Sequence, residues 1–262
     1  MSTTIQSLKI LCIGNSFSQD TLAYAYGVAK SLGVNEVKLA NMCIGGCTLQ
    51  QHAENAKNDL PAYSFELNEN DEWTETPNFK LSTALYADKW DYVSIQQASG
   101  FSGLKESFEG HLDYLIAYIR ERVPKETKIV WNMTWAYQQN SPHEHFAFYS
   151  NSQTTMYRSI IQAVRDVVLK RPEISIVVPV GTAIQNARTS SLGNSLTRDS
   201  FHLSLGTGRF IAALTFIHKI TGIELSGVAF NGINISPKEK EIAVECAANA
   251  VITPFEVTPS NF

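Results

Sequence analysis

Two short pieces of the chain carry side chains that could do nucleophilic and acid–base chemistry together. Near the start, Gly14-Asn15-Ser16 follows the apolar run Leu8 to Ile13. Near the end, Asp199-Ser200-Phe201-His202 sets a carboxylate three residues before an imidazole. A serine hydroxyl is a weak nucleophile until a base takes its proton. Histidine can be that base, and a carboxylate on its Nδ1 fixes the tautomer and stabilises the cation. The pattern points to Ser16 as nucleophile, His202 as base and Asp199 as its orienter. Each half alone has a plainer explanation: Ser16 or Ser18 would serve as a helix cap, and Asp-x-x-His occurs in many loops.

Acyl transfer also needs donors for a developing oxyanion. Gly46, in Asn41-Met-Cys-Ile-Gly-Gly-Cys-Thr-Leu, offers an unobstructed backbone amide after the second apolar run. The third run ends Val93-Ser-Ile-Gln96-Gln97. Side-chain amides there are expensive to bury unpaired, and Gln97, nearer the mouth, is the expected donor with Gln96 in reserve. A helix-start turn for Gly46 and a structural hydrogen bond for Gln97 are equally consistent with the pattern.

Five apolar, β-branched runs position these residues: Leu8 to Ile13, Glu36 to Met42, Tyr92 to Gln97, Lys128 to Thr134 and Ile174 to Val180. Helical patterns stand between and after them, at about Thr21 to Leu32, Leu49 to Lys57, Phe108 to Arg122, Ser152 to Lys170 and Gly206 to Thr221. The alternation predicts an α/β fold, a parallel sheet covered on both faces. Ligands then bind beyond the carboxyl ends of the strands, where Ser16 would lie. A last helical segment runs from Pro237 to about Val251, with proline at its start. Residues 60–80 break the alternation and read as a solvated hairpin insertion, its five carboxylates not matching a calcium loop. Trp73 and Phe79 would pack it on the body or wall the site. Residues 135–150 form an aromatic loop where a substrate would be lined. Its His143 and His145 lack a third ligand for a metal pair and are expected to face solvent.

With 262 residues, 44% hydrophobic and 18% charged, the chain is long enough for one domain spanning 1–262 with a real core. A net charge of −4 argues against a nucleic-acid surface. No apolar run approaches the roughly 20 residues of a membrane helix, and Met1 to Ser7 does not read as a signal peptide. Localisation stays open between the cytoplasm and an exported form whose leader was removed. Cys12, Cys43, Cys47 and Cys246 read as free thiols. The turn Gly14 to Gln19 lacks the glycine spacing of a dinucleotide site.

The order of these blocks resembles the SGNH, or GDSL-like, hydrolase family. Gly14-Asn15-Ser16 is similar to its Gly-Asp-Ser motif, Gly46 to its second-block glycine, and Asp199 to His202 to its last block. The family's Gly-x-Asn-Asp block is absent, and Gln96-Gln97-Ala98-Ser99 looks more like the Gln-Gly-Glu segment of sialate O-acetylesterase-like relatives. The resemblance implies a three-layer α/β/α sandwich with a five-stranded parallel sheet (flavodoxin-like) and a serine esterase of short-chain, acetyl-type esters on carbohydrate or another small molecule. It implies an oxyanion hole of the Ser16 and Gly46 amides with Gln97, and no cofactor or metal. Asn15, Phe17, Gln96, Thr134, Trp135 and Phe201 would line the substrate. An acyltransferase or thioesterase with the same triad, and a carbohydrate-binding module on a degenerate hydrolase fold, are the alternatives. Neither a membrane nor a nucleic acid is an expected partner, and the oligomeric state is open.

Overall fold

The computed structural model describes residues 5–262. Residues 1–4, part of the stretch read above for a leader, lie outside it. The chain forms β1 (Ser7–Gly14), α1 (Ser16–Leu22), α2 (Ala25–Ser31), β2 (Glu36–Cys43), α3 (Leu49–Lys57), β3 (Tyr63–Asn68), β4 (Trp73–Phe79), α4 (Leu81–Tyr86) and β5 (Tyr92–Ile95). It continues through α5 (His111–Arg120), β6 (Lys128–Asn132), α6 (Gln153–Asp166), β7 (Ile174–Val178), α7 (Val180–Ala187), α8 (Thr207–Thr221) and α9 (Pro237–Ile252).

The strands make one sheet in the order β4-β3-β2-β1-β5-β6-β7. The five strands expected from the apolar runs pair in parallel, with Ile13 opposite both Met42 and Ile95. The sheet has seven strands rather than five, because the hairpin joins it: β3 runs antiparallel to β2, and β4 to β3. The hairpin read at residues 60–80 therefore extends the sheet. β4 is an exposed edge strand, and Pro77 within it cannot donate to a further strand.

β1 is buried almost without interruption from Ile10 to Gly14, as a strand covered on both faces must be. On one side α8 packs against α1, α2, α7 and α9, and elsewhere α3 packs against α4 and α5. In α6 the side chains of Met156, Tyr157, Ile160, Ile161 and Val164 are buried, and Ser152 caps its start by accepting from the Thr155 amide at 3.2 Å. The same stripe continues past Asp166 only as a 3-10 turn over Val168–Lys170, so the helix is shorter than the sequence pattern. α9 opens with a capping box between Ser236 and Glu239, with Pro237 at the first position. No helix among the described residues is long and apolar enough to cross a membrane.

Two other elements differ from the periodicity. The helix expected from Thr21 to Leu32 begins at Ser16 and breaks at Ala23-Tyr24. The third strand ends at Ile95, so Gln96 and Gln97 lie beyond the sheet and strand alternation does not govern them. The chain leaves β1 toward β2 on one side and toward β5 on the other. That reversal opens a crevice at the carboxyl ends of β1 and β5.

Candidate active site

Gly14 ends β1 and lets the chain turn tightly into α1. A Cβ there would lie 2.6 Å from Ser18 Oγ and 3.1 Å from the Gln96 amide carbon. Asn15 is the helix cap: its Oδ1 accepts from the Phe17 amide at 2.9 Å and from Gln96 Nε2 at 2.9 Å, while its Nδ2 donates to the Cys47 carbonyl at 3.1 Å. One buried side chain thus joins the turn after β1 to the turns after β2 and β5. Gln96 in turn accepts from Asn132 Nδ2 at 3.2 Å, which adds the end of β6. Ser18 is not the cap: its Oγ lies 2.6 Å from the Asn15 carbonyl and 2.8 Å from Asn41 Oδ1, with one proton to share between them.

The remaining side chain of this turn, Ser16, is half-buried, and its Oγ lies 2.7 Å from His202 Nε2. On the other side of the ring, Nδ1 lies 2.6 Å from Asp199 Oδ2. Ionised Asp199 can only accept, so Nδ1 carries the proton and Nε2 presents a lone pair to the serine. Partial burial works to raise the Asp199 carboxyl. The hydrogen bonds from the His202 ring and from the His202 and Phe201 amides outweigh it and hold the group below the ordinary carboxylate range.

The Asp199–His202 loop is fastened at several points. Thr197 and Leu203 form an antiparallel bridge. Gln138 donates its amide to the Ser200 carbonyl at 2.8 Å, and Trp135 Nε1 donates to the Phe201 carbonyl at 2.7 Å. Ser200 sits at φ 75°, a left-handed conformation that costs a non-glycine residue energy and persists only where its surroundings impose it.

A fastening that spacing alone does not disclose comes from Asp20, whose side chain has no exposed surface. Its carboxylate accepts from Arg198 Nη1 at 2.9 and 3.1 Å, from Arg209 Nε at 2.8 Å and from the Leu203 amide at 2.8 Å. Asp20 lies one helical turn beyond Ser16, so the helix that carries the serine grips the residue next to the histidine. The sequence signal was a lone acid on the buried face of α1, with an arginine on each side of His202.

Gly46 is the third residue of a turn closed by Cys47 N–H to the Ile44 carbonyl at 3.1 Å, with φ 65°. Glycine is suited to that conformation. Among the described residues the Ser16 and Gly46 amides make no hydrogen bond to the protein. The Gln97 side chain is engaged within the protein. Its Oε1 accepts from the Leu49 amide at 2.9 Å and the Ala98 amide at 2.8 Å, and its Nε2 donates to the Ser107 carbonyl and hydroxyl at 3.1 and 3.0 Å. It ties the start of α3 to the loop after β5 and aims both amide hydrogens at Ser107. Gln96 is likewise committed, to Asn15.

The residues expected to line the substrate differ in exposure. Asn15, Phe17, Gln96, Thr134 and Trp135 are each at most 2% exposed, so they support the site from beneath. Trp135 stacks on Phe17 with centroids 4.1 Å apart and planes 6° apart, and Thr134 Oγ1 pairs with Ser102 Oγ at 2.7 Å. Phe201 alone of that group keeps a partly open ring, 4.2 Å from His202. His143 and His145 are half-buried rather than solvent-facing. They pack 5.0 Å from one another, His143 edge-on to Phe201 at 4.9 Å. Burial and the neighbouring His145 push the His143 ring below the usual histidine value. No group of three or more metal-ligating side chains occurs among the described residues. The four cysteines are free and buried.

A family model described as a domain of unknown function, DUF4886, matches residues 9–250. The chain belongs to that family. A DUF4886 family protein from Bacteroides uniformis, solved by crystallography, is 40% identical, with a TM-score of 0.93 over 97% of this chain and 98% of that one. More distant in sequence is a putative SGNH hydrolase from Slackia heliotrinireducens, 18% identical with a TM-score of 0.54 over 82% of this chain and 100% of that one. Axe2, an acetylxylan esterase from Geobacillus stearothermophilus, is 16% identical with a TM-score of 0.53 over 84% and 97% of the two chains. No curated protein matches. This DUF4886 chain thus has the α/β fold of SGNH hydrolases, a central sheet with flanking helices, extended here by the antiparallel hairpin.

Proposed function

We propose that this protein is a serine esterase that hydrolyses short-chain acyl esters, acetyl esters foremost, carried on a carbohydrate or other small alcohol. The observation that carries the reading is the continuous line from Asp199 through His202 to Ser16, with both contacts at 2.7 Å or less. The same fold in Axe2 adds support, since variants of that esterase at a serine, an aspartate and a histidine are described as catalytic mutants.

In this reading His202 Nε2 takes the Ser16 proton as Oγ attacks the ester carbonyl. Asp199 stabilises the imidazolium that forms. The carbonyl oxygen becomes an oxyanion facing the Ser16 and Gly46 amides, which have no competing protein acceptor. His202 then returns its proton to the alcohol oxygen, which leaves. Water, deprotonated by the same ring, attacks the acyl-serine, and the acid departs with Ser16 restored. Because Gln97 is engaged with Ser107, the oxyanion hole relies on the two backbone amides.

The test is covalent labelling by a serine-directed fluorophosphonate, followed by peptide mass spectrometry. The reading expects a single modified residue, Ser16, and slower labelling when His202 is replaced by alanine. Failure of the reagent to modify Ser16 would favour a binding protein on a hydrolase fold.

A further inference from the structure

The β3–β4 hairpin does more than lengthen the sheet. Between it, α1 and the segment leading into α8 lies a cleft of about 540 Å³, within the size range of small-molecule sites. Gln19 from α1, Leu205 and Arg209 from the α8 side, and Trp73, Glu66 and Glu75 from the hairpin line it, with Gln19 hydrogen-bonded to Glu66. Chain spacing relates the cleft to the reacting pair, neither member of which lines it. Gln19 follows Ser16 by three residues on the same helix, so the two share a face, and Leu205 follows His202 by three.

The chemistry of the hairpin wall is unusual for a surface strand. Of the four tryptophans, Trp90, Trp131 and Trp135 are at most 2% exposed, whereas Trp73 is 39% exposed. Glu66 and Glu75 stand directly opposite one another across the strands, a like-charge pairing that weakens a hairpin. The hydrogen bonds they receive come from neutral groups. Asn41 Nδ2 donates to Glu66 at 2.8 Å and Gln19 Nε2 also donates to it, while Ser64 Oγ donates to Glu75 at 2.7 Å. Burial, with a smaller contribution from Glu75, pushes the Glu66 carboxyl above its ordinary value. Each carboxylate has acceptor capacity to spare. Arg209, its Nε held by Asp20 at 2.8 Å, adds a donor group to the lining.

An indole face, two acceptor carboxylates and neighbouring donors suit a neutral polyhydroxylated ring. A sugar offers a flat C–H face for Trp73, hydroxyl donors for Glu66 and Glu75, and hydroxyl acceptors for Gln19 and Arg209. A compact cation would use the carboxylates but would be repelled by Arg209 in the same lining. We propose that this cleft binds the alcohol side of the ester as a sugar ring stacked on Trp73, with its hydroxyls donating to Glu66 and Glu75. The proposal rests on the esterase reading of Ser16 and names where the leaving alcohol lies.

Two measurements test it and separate it from the esterase reading. In the first, calorimetry follows xylotriose and a set of unacetylated methyl pyranosides binding to the Ser16→Ala protein, which needs no turnover. At least one sugar is expected to bind saturably, with affinity about tenfold weaker in the Trp73→Ala background and largely regained with Trp73→Phe. In the second, kcat/KM on acetylated xylotriose and acetylated methyl pyranosides is divided by kcat/KM on p-nitrophenyl acetate. The largest ratio should fall about tenfold in Trp73→Ala and also fall in Glu75→Gln. Absence of sugar binding, or a ratio that stays within about twofold in Trp73→Ala, overturns the proposal. Trp73-dependent sugar binding in a protein that hydrolyses no ester would instead overturn the esterase reading and leave the sugar site supported.

Discussion

Asp20 accepts the Leu203 amide at 2.8 Å from inside the protein, across 183 residues of chain. Ser16 and His202 are thereby held by one clamp: the helix beginning at the serine binds the backbone one residue past the histidine. With Arg198 and Arg209 on the same carboxylate, removing its charge leaves two guanidinium groups short of a counter-ion. Because both arginine side chains are partly exposed, the loss stays below the roughly 3–5 kcal/mol of a fully buried pair, and small misplacement of a catalytic base costs on the order of 10²-fold in rate. Asp20→Asn should therefore lower both thermal stability and kcat/KM on p-nitrophenyl acetate. Melting curves and steady-state kinetics at a temperature where the variant is folded check it. An unchanged kcat/KM would restrict Asp20 to a structural role.

Gln97 should behave as a brace and not as an oxyanion donor. Gln97→Ala leaves the buried Leu49 amide without its acceptor, a loss of about 1–3 kcal/mol. Removing a true oxyanion donor lowers kcat by about 10²–10³-fold. Stability should drop in that range while kcat of the folded variant falls by less than about tenfold, as read by denaturant titration beside kinetics.

Trp135→Phe keeps the ring against Phe17 but deletes the hydrogen bond to the Phe201 carbonyl. About 1 kcal/mol of stability should be lost, together with a fall in kcat that exceeds any change in KM, because the bond holds the His202 loop rather than the substrate. A rise in KM at constant kcat would count against this placement.

His52 gives the fold an acid sensitivity. Burial pushes its ring from 6.5 down to about 3, so the native state keeps it neutral while the unfolded chain takes up a proton below pH 6.5. Stability from this group is complete above that value and falls by about 1.4 kcal/mol per pH unit as the pH drops toward the folded value. Glu66, whose value is raised, acts with the opposite sign between its ordinary 4.5 and that raised value, so the His52 contribution is read as the difference between the wild type and a His52 variant. Denaturant unfolding of His52→Gln should show a shallower loss across that window than the wild type.

The parallel core was legible because the central strands are largely buried on both faces and so read as mainly apolar, β-branched runs. Ser16, Asp199 and His202 stood out because residue type and spacing already imply a proton path, and the structure brings them together. Asp20, Arg198 and Arg209 did not stand out, since their meeting depends on how α1 packs on α8. The direction of Gln97 was not legible because the apolar run continues two residues past the strand's end at Ile95, where a side chain's direction is set by its hydrogen-bond partners. The join between the hairpin and the sheet was hidden for a related reason: the pairing of Asn41 with Glu66 is a tertiary choice that alternation within either strand cannot reveal. α4 and α7 are short, of 6 and 8 residues, too short for a helical period to emerge.

The most direct measurement is steady-state hydrolysis of p-nitrophenyl acetate and acetylated sugars by wild type and Ser16→Ala. If the Ser16, His202 and Asp199 side chains act as one unit, the variant should lose on the order of 10⁶-fold in kcat while keeping the wild-type melting temperature. Retention of most of the turnover by Ser16→Ala would contradict the assignment of Ser16 as the nucleophile.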